Sequence, residues 1–497
     1  MRNYKYNSNL QNGGLSLQVL IFGAIAVILL SGFLIWADMI VKSILRYSER
    51  ALAFTVAEAG VEYYRWHLAH APTDYQDGTG NPGPYTHDYF DKNNDKIGEF
   101  ILDITPPLIG STVVTIKSTG KVVSDATIEK IVEVKMGIPS LAQYAVAANA
   151  DIRFGDGTIV YGPIHSNGGV RFDGYAYNLI TSAVADYDDP DHGGGNEFGV
   201  HTHRNTQGQS GVDNSYRPQE APPPPAPDRA DVFSVGREFP VPVVDFAGIT
   251  QDMSQIKTDA QTSGFYRASS TVLGYEMILK TDSTFDLYRI NSLVASPSSQ
   301  CTNSQNQASN QGGWGTWTIN SKTLLGNYPF PANGLIFLED DIWVSGQINS
   351  ARLTIASARF PDNPSTRSSI TLNDNLLYTN YDGLDAIALM AQKHINVGWQ
   401  SQNIIRIDAA LVAQNGRIGR YYYNAFCSPY NLRDTITTYG SLISSQRYGF
   451  SYTNGTQTTS GYPTRNLIYD SNLLYSPPPS FPLTTDAYEI ISWEEIK

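Results

Sequence analysis

The stretch "DYDDPDHGGGNEFGVHTH", residues 186 to 203, gathers Asp186, Asp188, Asp189, Asp191, His192, Glu197, His201 and His203. Imidazole nitrogens and carboxylate oxygens are the ligands that transition ions take. His201 and His203 are two residues apart, so in a strand they share one face. With Asp189, Asp191 or His192 they form a candidate zinc site; a solvated acidic loop is the alternative.

A second oxygen-rich loop, "DKNNDKIGE", places Asp91, Asn93, Asp95 and Glu99 at positions one, three, five and nine of a candidate calcium loop. Lys96 stands where that loop wants glycine, and Leu102 where it wants a bidentate glutamate, so a polar turn before a strand is the competing reading. Asp340 and Asp341 adjoin, as paired carboxylates of a glycosidase would, but the neighbouring sequence supplies no cation for them. No nucleophile elbow, phosphate loop or zincin motif occurs. The expectation is a non-enzymatic protein with no certain cofactor, calcium or zinc being the candidates; a membrane-anchored β-helix enzyme acting on polysaccharide is the alternative. Cys301 and Cys427, the two cysteines of the chain, are expected to form a disulfide outside the cytosol, against two separate buried thiols.

The elements that must carry these residues are mostly strands. Only 16% of the 497 residues are charged, while 31 Tyr, 42 Gly and 27 Pro take up the difference, a mixture that favours strands and turns. A net charge of −13 without a basic stripe argues against a nucleic-acid partner.

One helix stands apart. Leu15 to Ala37 holds no charged residue, long enough to cross most of a hydrocarbon layer of about 30 Å. Beyond it Leu45, Leu52, Val56, Ala59, Tyr63 and Trp66 keep helical spacing as far as Pro72. Beside them Ala53, Ala57 and Gly60 form a small-residue stripe, which lets another helix approach closely. The expectation is that this stripe faces a neighbouring subunit, while Leu52, Val56, Ala59 and Tyr63 rest on the chain's own sheet.

The leader with Arg2 and Lys5, the "GG" before "LSLQVLIF", and "ALAFTVAEAGVEYY" together resemble the N-terminus of PilX-like minor pilins of type IV pilus systems. The resemblance implies cleavage by a prepilin peptidase after Gly13 or Gly14. A cut after Gly13 puts Gln18, and one after Gly14 puts Val19, where major pilins carry glutamate, which the resemblance reads as a rare or tip subunit. It further implies that Gln18, Ala53, Ala57 and Gly60 serve helix assembly. Its partners would be other pilin subunits, the pilus assembly machinery and the membrane. Its place would be the cell envelope, as a single-pass protein with an extracellular domain.

The expected fold is α+β and mostly β. It comprises a leader over 1–14, a transmembrane and pilin-like helix over 15–72, and a small antiparallel sheet over 73–140. A β-solenoid follows over 141–204 and resumes over 331–497, with an insertion at 205–330 carrying the "EAPPPPAPD" spacer and a helix from Asp245 to Thr262. A β-sandwich would explain much of the same alternation. The function expected is that of an adhesive surface subunit with a glycan or protein ligand, the alternative to the enzyme being an envelope protein outside any filament.

Overall fold

The computed structural model describes residues 12–125, 127–205, 211–223, 225–246, 248–301, 316–454 and 457–496. Residues 1–11 of the expected leader lie outside the described residues. The chain divides into two units, residues 1–106 with 114–136 and 490–497, and residues 107–113 with 137–489.

The first unit is built on α1, Asn12–His70, whose 59 residues span about 88 Å at 1.5 Å per residue. Its two halves have opposite surroundings. From Leu15 to Leu45 the apolar side chains stand exposed, Leu20 at 71% and Phe22 at 69%, and this half is long and apolar enough to cross a membrane. From Ala53 on, Val56, Ala57, Val61, Tyr64 and Leu68 are buried.

What buries them is an antiparallel sheet of β1 (Tyr85–Phe90), β2 (Lys96–Thr105), β3 (Val114–Val122) and β4 (Glu129–Gly137), with Glu489–Ile496 as the fifth strand beside β4. Alternation gives the sheet its inner face, Phe100 and Leu102 on β2, Val114 and Ile116 on β3, Val132 and Val134 on β4. Where α1 crosses, the sheet turns small. A Cβ on Gly120 would lie 2.1 Å from the Ala53 carbonyl oxygen and 2.4 Å from the Ala57 nitrogen, and one on Gly60 would lie 2.3 Å from Ser118 Oγ. The stripe of Ala53, Ala57 and Gly60 is therefore covered by the chain's own sheet. This corrects the expectation that it faces a neighbouring helix, and the reason is that small residues on helix and strand match each other here. Of the other stripe, Val56 is fully buried, and Leu52, Ala59 and Tyr63 are half-buried.

In the second unit the pairing is dominated by parallel ladders. One runs through Phe265–Arg267, Leu335–Leu338, Arg352–Ser357, Ala386–Ala391, the end of Ile404–Ala413 and the end of Thr435–Ser444. It continues, still parallel, into Val146–Ala148, Ile164–Ser166, Ile180–Ser182 and Arg237–Glu238. A second ladder joins Tyr275–Leu279, Ile342–Gln347, Ile370–Thr371, Ile395–Val397 and Ile418–Arg420. A third passes from Thr435–Ser444 to Thr464–Tyr469, Ile159–Tyr161 and Tyr175–Ala176. A shorter set pairs Ile152–Phe154, Val170–Phe172 and Val200–His201.

Inward residues from all of these, among them Ile355, Leu389, Val344, Ile395, Val160 and Phe172, form one apolar cluster. Sandwiches of antiparallel hairpins do not generate ladders of this kind, so the sandwich alternative does not describe this unit.

The outer face of the first ladder is itself apolar, with Ala147, Phe337, Ala356, Ala388, Ala410 and Val412, and helix α2 (Gly248–Ser263) covers part of it. Ile249, Met253, Ile256 and Ala260 make the contact, spaced four, three and four. Gly264 ends the helix where a Cβ would lie 2.5 Å from the Leu335 carbonyl oxygen. Residues 205–330, expected to leave the β region and return, thus contribute Arg237–Glu238, Phe265–Arg267 and Tyr275–Leu279 to the ladders. The tail expected to belong wholly to this region instead sends Glu489–Ile496 to the first unit.

Candidate metal centre

The 186–203 segment folds beside the short three-stranded set. Asp186–Tyr187 and Glu197–Phe198 pair antiparallel, and Val200–His201 then joins Val170–Phe172 in parallel. This brings Asp189, His192, Glu197 and His203 together, each with a ligand atom within 4.8 Å of the others, and sets His201 beside Asp189 and Glu197. Glu197 Oε2 lies 3.0 Å from His192 Nε2, 3.2 Å from His201 Nε2 and 3.1 Å from His203 Nε2. Asp189 Oδ2 lies 3.5 Å from His192 Nε2 and 3.6 Å from His201 Nε2, and the Nε2 atoms of His192 and His203 are 3.3 Å apart. Asp189, Glu197, His201 and His203 are buried, and the His192 side chain is only 6% exposed.

The far ring nitrogens fix the tautomers. A carbonyl oxygen can only accept, so His201 Nδ1 donates to the Phe198 carbonyl at 3.1 Å and His203 Nδ1 donates to that of Asp213 at 2.7 Å. His192 Nδ1 faces the Gly193 carbonyl at 3.4 Å. In the neutral rings the Nε2 atoms are then bare lone pairs turned toward carboxylate oxygens. His201 Nε2 is buried and makes no hydrogen bond.

Around them stands a supporting layer. Arg171, itself buried, donates to Asp173 at 2.9 Å, to Asp189 at 3.3 Å and to Asn214 at 2.5 Å. Asp173 accepts the His203 N–H at 2.8 Å, and Glu197 Oε1 accepts the Arg217 N–H at 2.8 Å. Burial raises the carboxyl of Asp189, and the Asp191 N–H and the Arg171 guanidinium oppose it. Burial likewise raises the carboxyl of Glu197, which the Arg217 N–H opposes.

The other sequence candidates separate. Asp191 turns away from the histidines and pairs with Arg153 at 3.1 Å and Arg447 at 2.9 Å, which corrects its place in the candidate set. Asp91, Asn93 and Asp95 close the turn between β1 and β2. Asp91 Oδ1 accepts the N–H groups of Asn93 and Asp95, both at 2.9 Å, and Asn94 takes the left-handed conformation at φ 68°. Glu99 lies on β2 opposite Asp88, and Lys96 bridges the two. Among the described residues Asp91, Asp95 and Glu99 are not one of the His, Asp and Glu groups placed to share a metal ion.

Asp340 has the partner that local sequence lacked, Arg359 at 2.6 Å, and is also held by Ser270. Asp341 accepts the Ser369 N–H at 2.7 Å. Cys301 and Cys427 form a disulfide with Sγ–Sγ 2.05 Å, set among Trp317, Trp343, Trp399, Tyr421 and Tyr423. Gln18 is exposed on α1, and Gly13 and Gly14 fall in its first turn.

Sequence reading named Glu197 in the cluster without choosing it as a ligand, and it passed over Arg171 and Asp173. The available signal was the charged pair inside "VRFDG", where Val170 and Phe172 face the core and Arg171 and Asp173 face the other way, yet all four are buried.

No family model matches the chain, and no curated protein does. Among solved structures the chain is similar to the competence-associated pilin ComZ of Thermus thermophilus, at 14% identity over 90% of this chain and 97% of that one, with a TM-score of 0.30. A TM-score that low does not establish a common fold.

Proposed function

We propose that the chain is a non-enzymatic subunit of a type IV pilus-like filament, of the minor or tip kind, which carries a surface-displayed β domain. The observation that carries this reading is the division of α1. A helix that served only its own domain would be apolar where it is covered. Here the exposed half, Leu15 to Leu45, is the more apolar one, while the covered half sits on a sheet through small residues. Such a helix suits residence in a membrane followed by transfer into a bundle of like helices, both of which supply the apolar surroundings that water does not.

We read the parallel ladders of the second unit as turns of one β-solenoid, because each strand pairs with the next turn and the inward residues share one core. In this reading the domain makes the external contacts, and exposed rings such as Tyr161, Tyr177 and Tyr381 offer rigid amphipathic contact to a glycan or protein.

The test is the native N-terminus together with the location of the chain. Mass spectrometry of protein from cells should show removal of 13 or 14 residues, and sheared surface filaments should contain the chain. An intact N-terminus with the chain confined to the membrane fraction would refute the filament role and leave an envelope anchor.

A further inference from the structure

We propose that Asp189, His192, Glu197 and His203, with His201 as a fifth ligand, hold one divalent ion of the first transition series in a closed, structural centre. The first ground is a conflict that an ion removes. The three Nδ1 atoms face carbonyl oxygens, which assigns their protons there and leaves three lone pairs directed at Glu197 Oε2 and Asp189 Oδ2. Acceptors facing acceptors repel. His192 and His203 cannot both carry a proton on Nε2, since they would then point N–H at N–H across 3.3 Å. Among the described ion pairs Glu197, buried, meets only these histidines, and buried His201 Nε2 has no hydrogen bond at all. A cation at the centre turns each of these contacts into a bond.

The second ground is metric. Bonds of about 2.0–2.1 Å, as zinc makes to imidazole and carboxylate, put neighbouring ligand atoms about 3.3–3.4 Å apart at tetrahedral angles and about 2.9 Å apart at right angles. The edges from Glu197 to the three histidines, from Asp189 to His192 and His201, and from His192 to His203 run from 3.0 to 3.6 Å, and Asp189, His192, Glu197 and His203 each offer an atom within 4.8 Å of the others. Three imidazoles select an ion of the zinc, iron, cobalt or nickel kind over calcium or magnesium, which prefer oxygen.

The third ground is the outer layer. Backbone carbonyls fix the rings of His201 and His203, and the Arg171–Asp173 pair anchors Asp189 and the His203 backbone, an arrangement typical of metal centres. Because the ligands are buried, the ion has no open face for substrate. Its role is to tie the loop-rich stretch from Asp189 to His203 to the strand Val170–Phe172.

The full-length chain, purified in detergent without chelator, should retain about one transition ion by elemental mass spectrometry. After stripping with dipicolinate, Co²⁺ should titrate in with visible d–d bands that saturate at one equivalent, and Zn²⁺ should displace it. His201→Ala and His203→Ala should weaken Co²⁺ binding by more than the roughly 10–100-fold that loss of an outer partner costs. Asp191→Asn should leave stoichiometry unchanged. Stripped wild type that remains folded by circular dichroism yet takes up neither Co²⁺ nor Zn²⁺ would overturn the proposal, and so would uptake of Ca²⁺ in their place. Because the wild-type titration decides the matter, it stands even if the variants misfold, and it is independent of the filament reading.

Discussion

Gly120 is the sharpest place to test how α1 sits on its sheet. Its backbone has an ordinary strand conformation, so Gly120→Ala introduces no backbone strain and acts through its one methyl group. That carbon would lie 2.1 Å from the Ala53 oxygen, 2.4 Å from the Ala57 nitrogen and 3.0 Å from the Ala57 Cα. These are helix backbone atoms and cannot rotate aside, so α1 must retreat by about 1 Å, a gap that forfeits a quarter to a half of each dispersion contact across it. Overpacking of this kind costs about 1–3 kcal/mol, and alanine returns less than about 1 kcal/mol in strand propensity. The net expectation is about 2 kcal/mol, or about 30-fold faster hydrogen exchange at 1.4 kcal/mol per decade. Exchange mass spectrometry on peptides covering Leu52–His70 and Val114–Val122 of the full chain in detergent measures it, with Ala51→Leu on the exposed side as the neutral control. Ala57→Leu should be worse, since its larger side chain meets the same glycine. Unchanged protection in Gly120→Ala would refute the close seating. An Ala57→Leu chain that stays fully protected but disappears from filaments would return the stripe to a neighbouring helix.

Other expectations follow from the second unit and the turn of the first. Replacing both Cys301 and Cys427 by Ser opens a loop with a sequence separation of 126 and should lower stability by about 5 kcal/mol in the chain-entropy description, read as a lower denaturant midpoint. His394 is pushed down to about 3 by burial, with Lys393 and Arg417 adding, and its Nδ1 accepts the Arg417 N–H at 3.1 Å. The unfolded ring therefore takes its proton first, and its contribution to stability, complete above about pH 6.5, is lost as pH falls toward 3. His394→Gln should flatten that limb of the stability profile, and an unchanged limb would exclude His394 as its source. Asp91→Ala removes the acceptor of two turn N–H groups and should cost about 1 kcal/mol, seen as faster exchange at Asn93 and Asp95.

How much of this could be read in the chain depended on the range of the interactions involved. The membrane-length segment and the α2 face are local patterns, and each sits where its periodicity places it, whereas Leu45 and Trp66 of the helical spacing beyond stand exposed. Which face of α1 meets the sheet was not legible, because Ala53 and Ala57 acquire meaning only opposite Gly120 and Ser118, more than fifty residues away. The metal candidates were legible as a composition, "DYDDPDHGGGNEFGVHTH". The choice among them was not, since Asp191 is drawn off by Arg153 and Arg447, the second of these 256 residues distant. Likewise the join of Val146–Ala148 to Thr435–Ser444, which links the two expected β stretches in one ladder, is a pairing that no local pattern announces.

That pairing also sets an order of events in biogenesis. The strand at Val146, on which those at Ile164 and then Ile180 stack in turn, pairs with a strand that leaves the ribosome almost 300 residues later, and the edge of β4 waits still longer for Glu489–Ile496. A nascent chain therefore carries open strand edges through most of its synthesis, with the apolar half of α1 already emerged. Unpaired edges beside exposed apolar surface are the usual starting points of misassembly. Such a chain calls for a holding factor, or for synthesis paced so that the late strands arrive before two unfinished copies meet.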